Sequence, residues 1–128
     1  MNALAAAAAT DLDNTIDDLA GLDWIPGIDH ILTGLRTTQD AITRGDLTPD
    51  TTQTLLAVLA GSAGVDLITA IGQLITHATN PHTNPALHTL TRAQRKETQH
   101  QGELALFDLT DPRIHQHASA ASAAISHH

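Results

Sequence analysis

The residue in this chain with the strongest need of a chemical partner is Asp66, the only charged residue between Asp50 and Arg92, set among Val65, Leu67 and Ile68. A carboxylate enclosed by aliphatic side chains must accept hydrogen bonds, pair with a cation or take up a proton. Two roles suit the position. Gly64 can make a turn that lets Asp66 cap a helix beginning at Leu67, or the carboxylate can be a polar anchor in a pocket or a dimer seam. Histidine is the second source of chemistry: His77, His82, His88, His100, His115, His117, His127 and His128 all lie in the C-terminal part. Two imidazoles on one helix converge on zinc when they are three or four residues apart. His115 and His117 are two apart and point to different faces, and His77 and His82 straddle the Asn80-Pro81 turn. A metal site would have to be composite, joining His77 with His82 or His88, and the expected state is solvated surface histidine, with His127-His128 readable as the start of an expression tag.

Two acidic strings suggest phosphoryl chemistry. Asp11-Leu12-Asp13-Asn14-Thr15 resembles the DxDxT nucleophile motif of haloacid-dehalogenase-like phosphatases, and Gly45-Asp46-Leu47-Thr48-Pro49-Asp50 resembles their metal-binding GDxxxD. The resemblance implies that Asp11 attacks phosphorus, Asp13 is acid and base, and Asp46 and Asp50 hold magnesium. It covers these strings alone. That family needs a β-branched strand before the first aspartate, whereas Ala5 to Ala9 is a helix former. It also needs a lysine between the motifs, and the only lysine, Lys96, follows both. The strings therefore read as an acidic helix face and a helix start.

Charge placement weighs against nucleic acid as a partner. The net charge is −8, and the first fifty residues hold nine acids against Arg36 and Arg44. Such a field repels polyanions and anionic lipid and favours a basic protein partner. Residues 51–75 carry the small residue Ala60 and the turn residue Gly64 of a degenerate helix-turn-helix. The second helix would offer Asp66, Leu67, Ile68, Thr69, Ala70 and Gln73 to DNA, with no cation to neutralise phosphate. A basic face at Arg92, Arg95 and Lys96, within 92–99, is the other route to a DNA-binding regulator.

The elements that must position these groups are helical. Leu12, Ile16 and Leu19 trace a first helix from about Ala3 to Ala20, and Gly21 with Trp24-Ile25-Pro26-Gly27 turns the chain. The run Met1 to Thr10 lacks a basic leader region and reads as helix, not signal peptide. Ile28, Ile31, Leu32, Leu35 and Ile42 mark a second helix ending at Gly45. Thr48-Pro49-Asp50 starts a third. Leu55, Leu56 and Leu59, then Leu67, Ile68, Ile71, Leu74, Ile75 and Ala78, are expected to face inward on either side of Gly61-Ser62-Ala63-Gly64, until Asn80-Pro81 stops the helix. Asn84-Pro85 opens a polar helix over 85–101, Glu103 to Leu109 is ambiguous, and Asp111-Pro112 starts a last helix with Ile114, Ala118, Ala121 and Ile125 on one side.

The segment from Leu55 to Ile75 is long enough to span a bilayer, but Asp66 and the glycines at its centre make it a buried soluble element. The expectation is an all-α, single-domain bundle of five to six helices. Acidic helices occupy 3–44, an apolar core hairpin about 49–79, a polar helix 85–101 and a C-terminal helix 112–126. Small residues at Ala57 with Gly61 and Ala60 with Gly64 permit close packing, including across a two-fold axis. By elimination the function reads as a non-catalytic cytoplasmic interaction or regulatory module, self-associating through 49–79 or an exchanged C-terminal helix. No cofactor, metal or membrane is called for. Asp66, Gly61, Gly64, Arg92, Arg95 and Lys96 are the candidate interaction residues. The rival readings are the DNA-binding regulator and a small helical enzyme or metal protein using Asp and His.

Overall fold

A computed structural model describes residues 3–62 and 64–126, with side chains described from Asp11 onward. Met1, Asn2, Ala63, His127 and His128 lie outside the set of described residues. These form an all-α protein: α1 (Ala3–Ala20), α2 (Ile28–Thr43), α3 (Pro49–Leu56), a π-helical turn (Ala57–Gly61), α4 (Leu67–Thr79), a 3-10 turn (Pro85–Thr89), α5 (Arg92–Leu109) and α6 (Pro112–Ile125). The chain divides into two compact units, Met1–Leu47 and Thr48–His128. Among the described residues, no helix is long and apolar enough to cross a membrane.

The first unit is the α1–α2 helical pair. Ile16 and Leu32 are its buried apolar residues, and Arg36 reaches back to Asp17 at 3.0 Å across an exposed face. Leu12, Leu19, Ile31, Leu35 and Ile42, which share the helical spacing that marks the two helices, are substantially exposed. Gly27 enters α2 at φ +89° and Gly45 leaves it at φ +78°, the left-handed conformation that glycine adopts without a Cβ penalty. Trp24, on the turn between the helices, is 74% exposed.

The second unit pairs α4 with α5, and α3 and the π turn with α6. Helix starts follow the local chemistry closely. The Thr48 hydroxyl accepts from Thr51 N at 3.1 Å, with Pro49 in the first turn, as the sequence suggested. Segment 49–79 does contain two helices joined by a turn, but each finds its main partner outside the segment. Gln53 donates to the Ser122 carbonyl at 2.9 Å while the Ser122 hydroxyl donates to the Gln53 carbonyl at 3.2 Å, tying α3 to α6. Gly61 admits α6 closely, since a Cβ there would lie 3.5 Å from Ser119 N and 3.1 Å from the Leu56 carbonyl oxygen.

The polar helix expected over 85–101 is displaced. Asn84-Pro85 starts only the 3-10 turn, Leu90 is extended, and the long helix begins after Thr91. The reason is a reciprocal capping box: Gln94 N donates to the Thr91 hydroxyl at 3.1 Å and Thr91 N donates to Gln94 Oε1 at 2.9 Å. From there α5 absorbs the ambiguous 103–109 run.

Glycine governs the α4–α5 contact. A Cβ on Gly72 would meet Leu106 Cδ1 at 2.9 Å, and one on Gly102 would sit 1.8 Å from Thr79 Oγ1 and 2.7 Å from Thr79 Cβ. Thr76 donates to the Gly72 carbonyl at 3.1 Å and Thr79 to the Ile75 carbonyl at 2.8 Å, so both hydroxyls are satisfied within α4. Each glycine thus receives a side chain of the other helix, Leu106 over Gly72 and Thr79 over Gly102, while other large side chains of α4 turn elsewhere. Leu67, Ile71 and Leu74, expected to be buried, are roughly half exposed, while α4 buries Thr69 and Gly72.

Gly102→Ala is expected to destabilise the protein by about 2 kcal/mol, because overpacking outweighs the roughly 1 kcal/mol gain in helix propensity. Gly72→Ala should be milder, since Leu106 Cδ1 is the end of a flexible side chain. Urea midpoints followed by far-ultraviolet circular dichroism check both, and an unchanged midpoint for Gly102→Ala would refute the contact.

Candidate functional site

Asp66 lies where the chain leaves the π turn and starts α4. Gly64, at φ +93°, makes the turn, and Asp66 itself is extended, which places its carboxylate over the first amides of the helix. Oδ1 accepts from Thr69 N at 2.9 Å and from the Thr69 hydroxyl at 2.7 Å. That hydroxyl in turn accepts from Gly64 N at 3.0 Å, which locks the turn to the helix. Oδ2 accepts from Ser62 N at 3.0 Å and faces His115 Nδ1 at 2.6 Å. Asp66 is therefore a helix cap, the first of the two roles its sequence position offered, and its second oxygen is taken up by His115 of the same chain.

The partner is a histidine that the sequence placed on the surface. His115 sits in the first turn of α6 and is buried: its side chain is 5% exposed and that of Asp66 0%. Besides Asp66, Nδ1 lies 2.9 Å from the Ala60 carbonyl oxygen, and Nε2 lies 2.9 Å from the Leu109 carbonyl oxygen. Every group facing the ring is an oxygen acceptor, so the form that satisfies all of them is the doubly protonated imidazolium. The inward face of α6 is accordingly His115, Ala118, Ser122 and Ile125, turned from the expected Ile114 and Ala121 stripe. The π turn contributes through Ala60, whose non-helical φ of −156° accompanies the contact between its carbonyl and His115.

Burial alone would push the Asp66 carboxyl up from its ordinary 3.8, but the hydrogen bonds from Thr69, then Ser62 and His115, outweigh it and hold the group at about 2. Burial likewise disfavours charge on His115. The Leu109 carbonyl, then the Asp66 carboxylate, more than compensate and raise it above its ordinary 6.5. The result is a buried ion pair whose hydrogen-bonding capacity is filled. Four donors occupy the carboxylate and both ring nitrogens are engaged, so neither group is free to take a substrate proton or a metal.

The other candidates do not join this site. Gly61 and Gly64 serve the backbone around it. Arg95 Nη1 donates to the Leu90 carbonyl at 2.7 Å and is half-buried, leaving Arg92 and Lys96 as the exposed cations of that face. His77 and His82 are exposed, and His88 Nε2 lies 2.9 Å from the Pro81 carbonyl oxygen. Among the described residues, no three His, Cys, Asp or Glu side chains gather as a metal site. Asp11 and Asp13 lie in a helix, exposed, in place of the strand a phosphatase motif requires.

The signal for His115 was present in the residues. With no lysine or arginine from 45 to 91, the only side chains in or near the apolar segment able to carry positive charge are histidines. His115, Ala118, Ser122 and Ile125 keep a helical spacing of three, four and three, which was passed over in favour of the more apolar stripe.

Asp66→Ala removes a helix cap and leaves the imidazole without its counter-charge, so it is expected to destabilise the protein by about 3 kcal/mol or more. Thr69→Val, which removes the hydroxyl between Asp66 and Gly64 and leaves the capped amide intact, should lower stability by about 1 to 2 kcal/mol. Urea unfolding by far-ultraviolet circular dichroism checks the order of the two. The purpose of the assembly has to be read from its own geometry, because the chain has no significant match among protein-family models, curated proteins or solved structures.

Proposed function

We propose that this protein is a non-catalytic interaction module that forms a homodimer through the outer face of α4. The observation that carries the reading is that α4 meets α5 through Gly72 and Thr79, against Leu106 and Gly102, and leaves Leu67, Ile71 and Leu74 outside. Leu67, Ile71 and Leu74 recur four and three residues apart on the α4 face turned away from the Gly72 contact, with Leu74 57% exposed. Full burial of such a residue is worth about 1.5 to 3 kcal/mol, so three of them half exposed leave a substantial association energy unused. The face suits a second copy because α4 carries no Asp, Glu, Lys or Arg. Two copies related by a two-fold axis therefore meet without like charges opposed.

On the outer side of α5, Phe107 is 71% exposed beside Leu104, an aromatic anchor of the kind that dominates interface energetics. The acidity of the N-terminal unit, eight acids against two arginines through Leu47, favours a basic protein as a further partner. Saturation of the buried Asp66–His115 pair supports a structural use of both groups, and hence a module acting without catalysis.

Light scattering at micromolar concentration is expected to give twice the 13.5 kDa chain mass. Leu74→Lys should shift the protein to monomer, weakening association at least about tenfold, with an unchanged helical spectrum. A monomeric wild-type protein at that concentration overturns the proposal.

A further inference from the structure

His115 carries two linkages of different chemistry. Nδ1 faces a carboxylate and a carbonyl, whereas Nε2 faces one carbonyl, that of Leu109 at the end of α5. A neutral imidazole has one N–H and one lone pair, so on losing a proton it must leave one side unmet. The side is decided by charge. Keeping the proton on Nε2 would set a lone pair against the Asp66 carboxylate at 2.6 Å, while keeping it on Nδ1 sets the lone pair against the Leu109 carbonyl at 2.9 Å. The second arrangement opposes only a dipole, and it preserves the charge-assisted bond.

We propose that the corner between α5 and α6, Leu109 to Pro112, is a pH-released latch: His115 as imidazolium holds it shut, and loss of the Nε2 proton opens it. The ring is buried, so the proton leaves to solvent only as the corner parts from it. The remaining Nδ1–H keeps its bond to Asp66, and α4 stays capped. Within the corner the Thr110 hydroxyl and amide bond back to the Leu106 carbonyl of α5, Asp111 caps α6 through Arg113 N at 2.9 Å, and Leu109 borders α4 at Gly72, where an added Cβ would lie 3.5 Å from Leu109 Cβ.

The charged groups around the ring make protonation the resting state. From the start of α4 comes Asp66. From the start of α6 come Asp111 and Arg113, joined at 2.8 Å, with Asp111 adding a favourable electrostatic contribution. From α5 comes Asp108, whose charge acts on Arg113. The π turn and α3 contribute no titratable group beyond Asp50 at the far end. Because the folded His115 binds its proton more tightly than the unfolded one, its contribution is complete below about pH 6.5 and is lost as pH rises through the folded value. The Asp66 contribution has the opposite sense: it is complete above about pH 4 and is lost as pH falls through the folded value near 2.

Nitrogen-15 NMR of the imidazole together with amide hydrogen exchange tests the latch in the wild-type chain. At pH 6 both ring nitrogens should be protonated, and the midpoint should lie above 6.5. Across that midpoint the α6 amides should lose at least about tenfold protection beyond the intrinsic pH effect, while Thr69 N remains protected. Deprotonation should leave the Nδ1–H tautomer. A neutral ring at pH 6, an Nε2–H tautomer, unchanged α6 protection, or loss of α4 together with α6 would each overturn the proposal. Asp66→Asn retains a capping oxygen and should lower the His115 midpoint by about one unit or more. An unshifted midpoint counts against the latch, and if that variant does not fold, the wild-type titration decides alone.

Discussion

A single buried charge pair sets the arrangement of the C-terminal unit. Asp66 and His115 stand 49 residues apart in sequence, yet through them the π turn, the start of α4, the end of α5 and the start of α6 are fastened to one another. A pair so enclosed need not add net stability, since desolvation opposes the attraction. What it adds is geometry. The carboxylate accepts four hydrogen bonds and the imidazole meets three oxygens, and only one mutual placement of these segments satisfies them all. In a unit whose apolar residues are mostly alanine, leucine and isoleucine, which pack in many nearly equal ways, a polar constraint of this kind selects a single arrangement.

The fold was legible where local chemistry alone decides structure. Thr48-Pro49 and Asp111-Pro112 start helices, Gly45 and Gly64 adopt left-handed turns, and Asp66 caps α4, each as the residue types require. It was misread where two local signals competed. Asn84-Pro85 looked like the helix start, but the Thr91–Gln94 capping box satisfies two amides at once and takes the helix.

Contacts between helices were less legible still. Leu67, Ile71 and Leu74 form the most apolar stripe of α4, and apolar stripes ordinarily face inward. That expectation fails because Gly72 receives Leu106 and Gly102 receives Thr79, which turns the glycine side of α4 to α5, and a single sequence does not show which glycine meets which helix. Half of the charge pair was visible, since Asp66 had to have a partner. The other half was hidden because histidine is tolerated both on surfaces and in cores, and its state depends on acceptors brought in by other segments.

The exposure of Trp24 has a practical consequence for anyone following this protein by light. The chain has one tryptophan and no tyrosine, and that indole sits largely in solvent on the turn of the N-terminal unit. An indole so hydrated changes its surroundings little on unfolding, and it belongs to a different compact unit from the aspartate–histidine pair. Intrinsic fluorescence therefore passes over the events that matter most in the C-terminal unit. An indole introduced beside α6 would supply the missing colour.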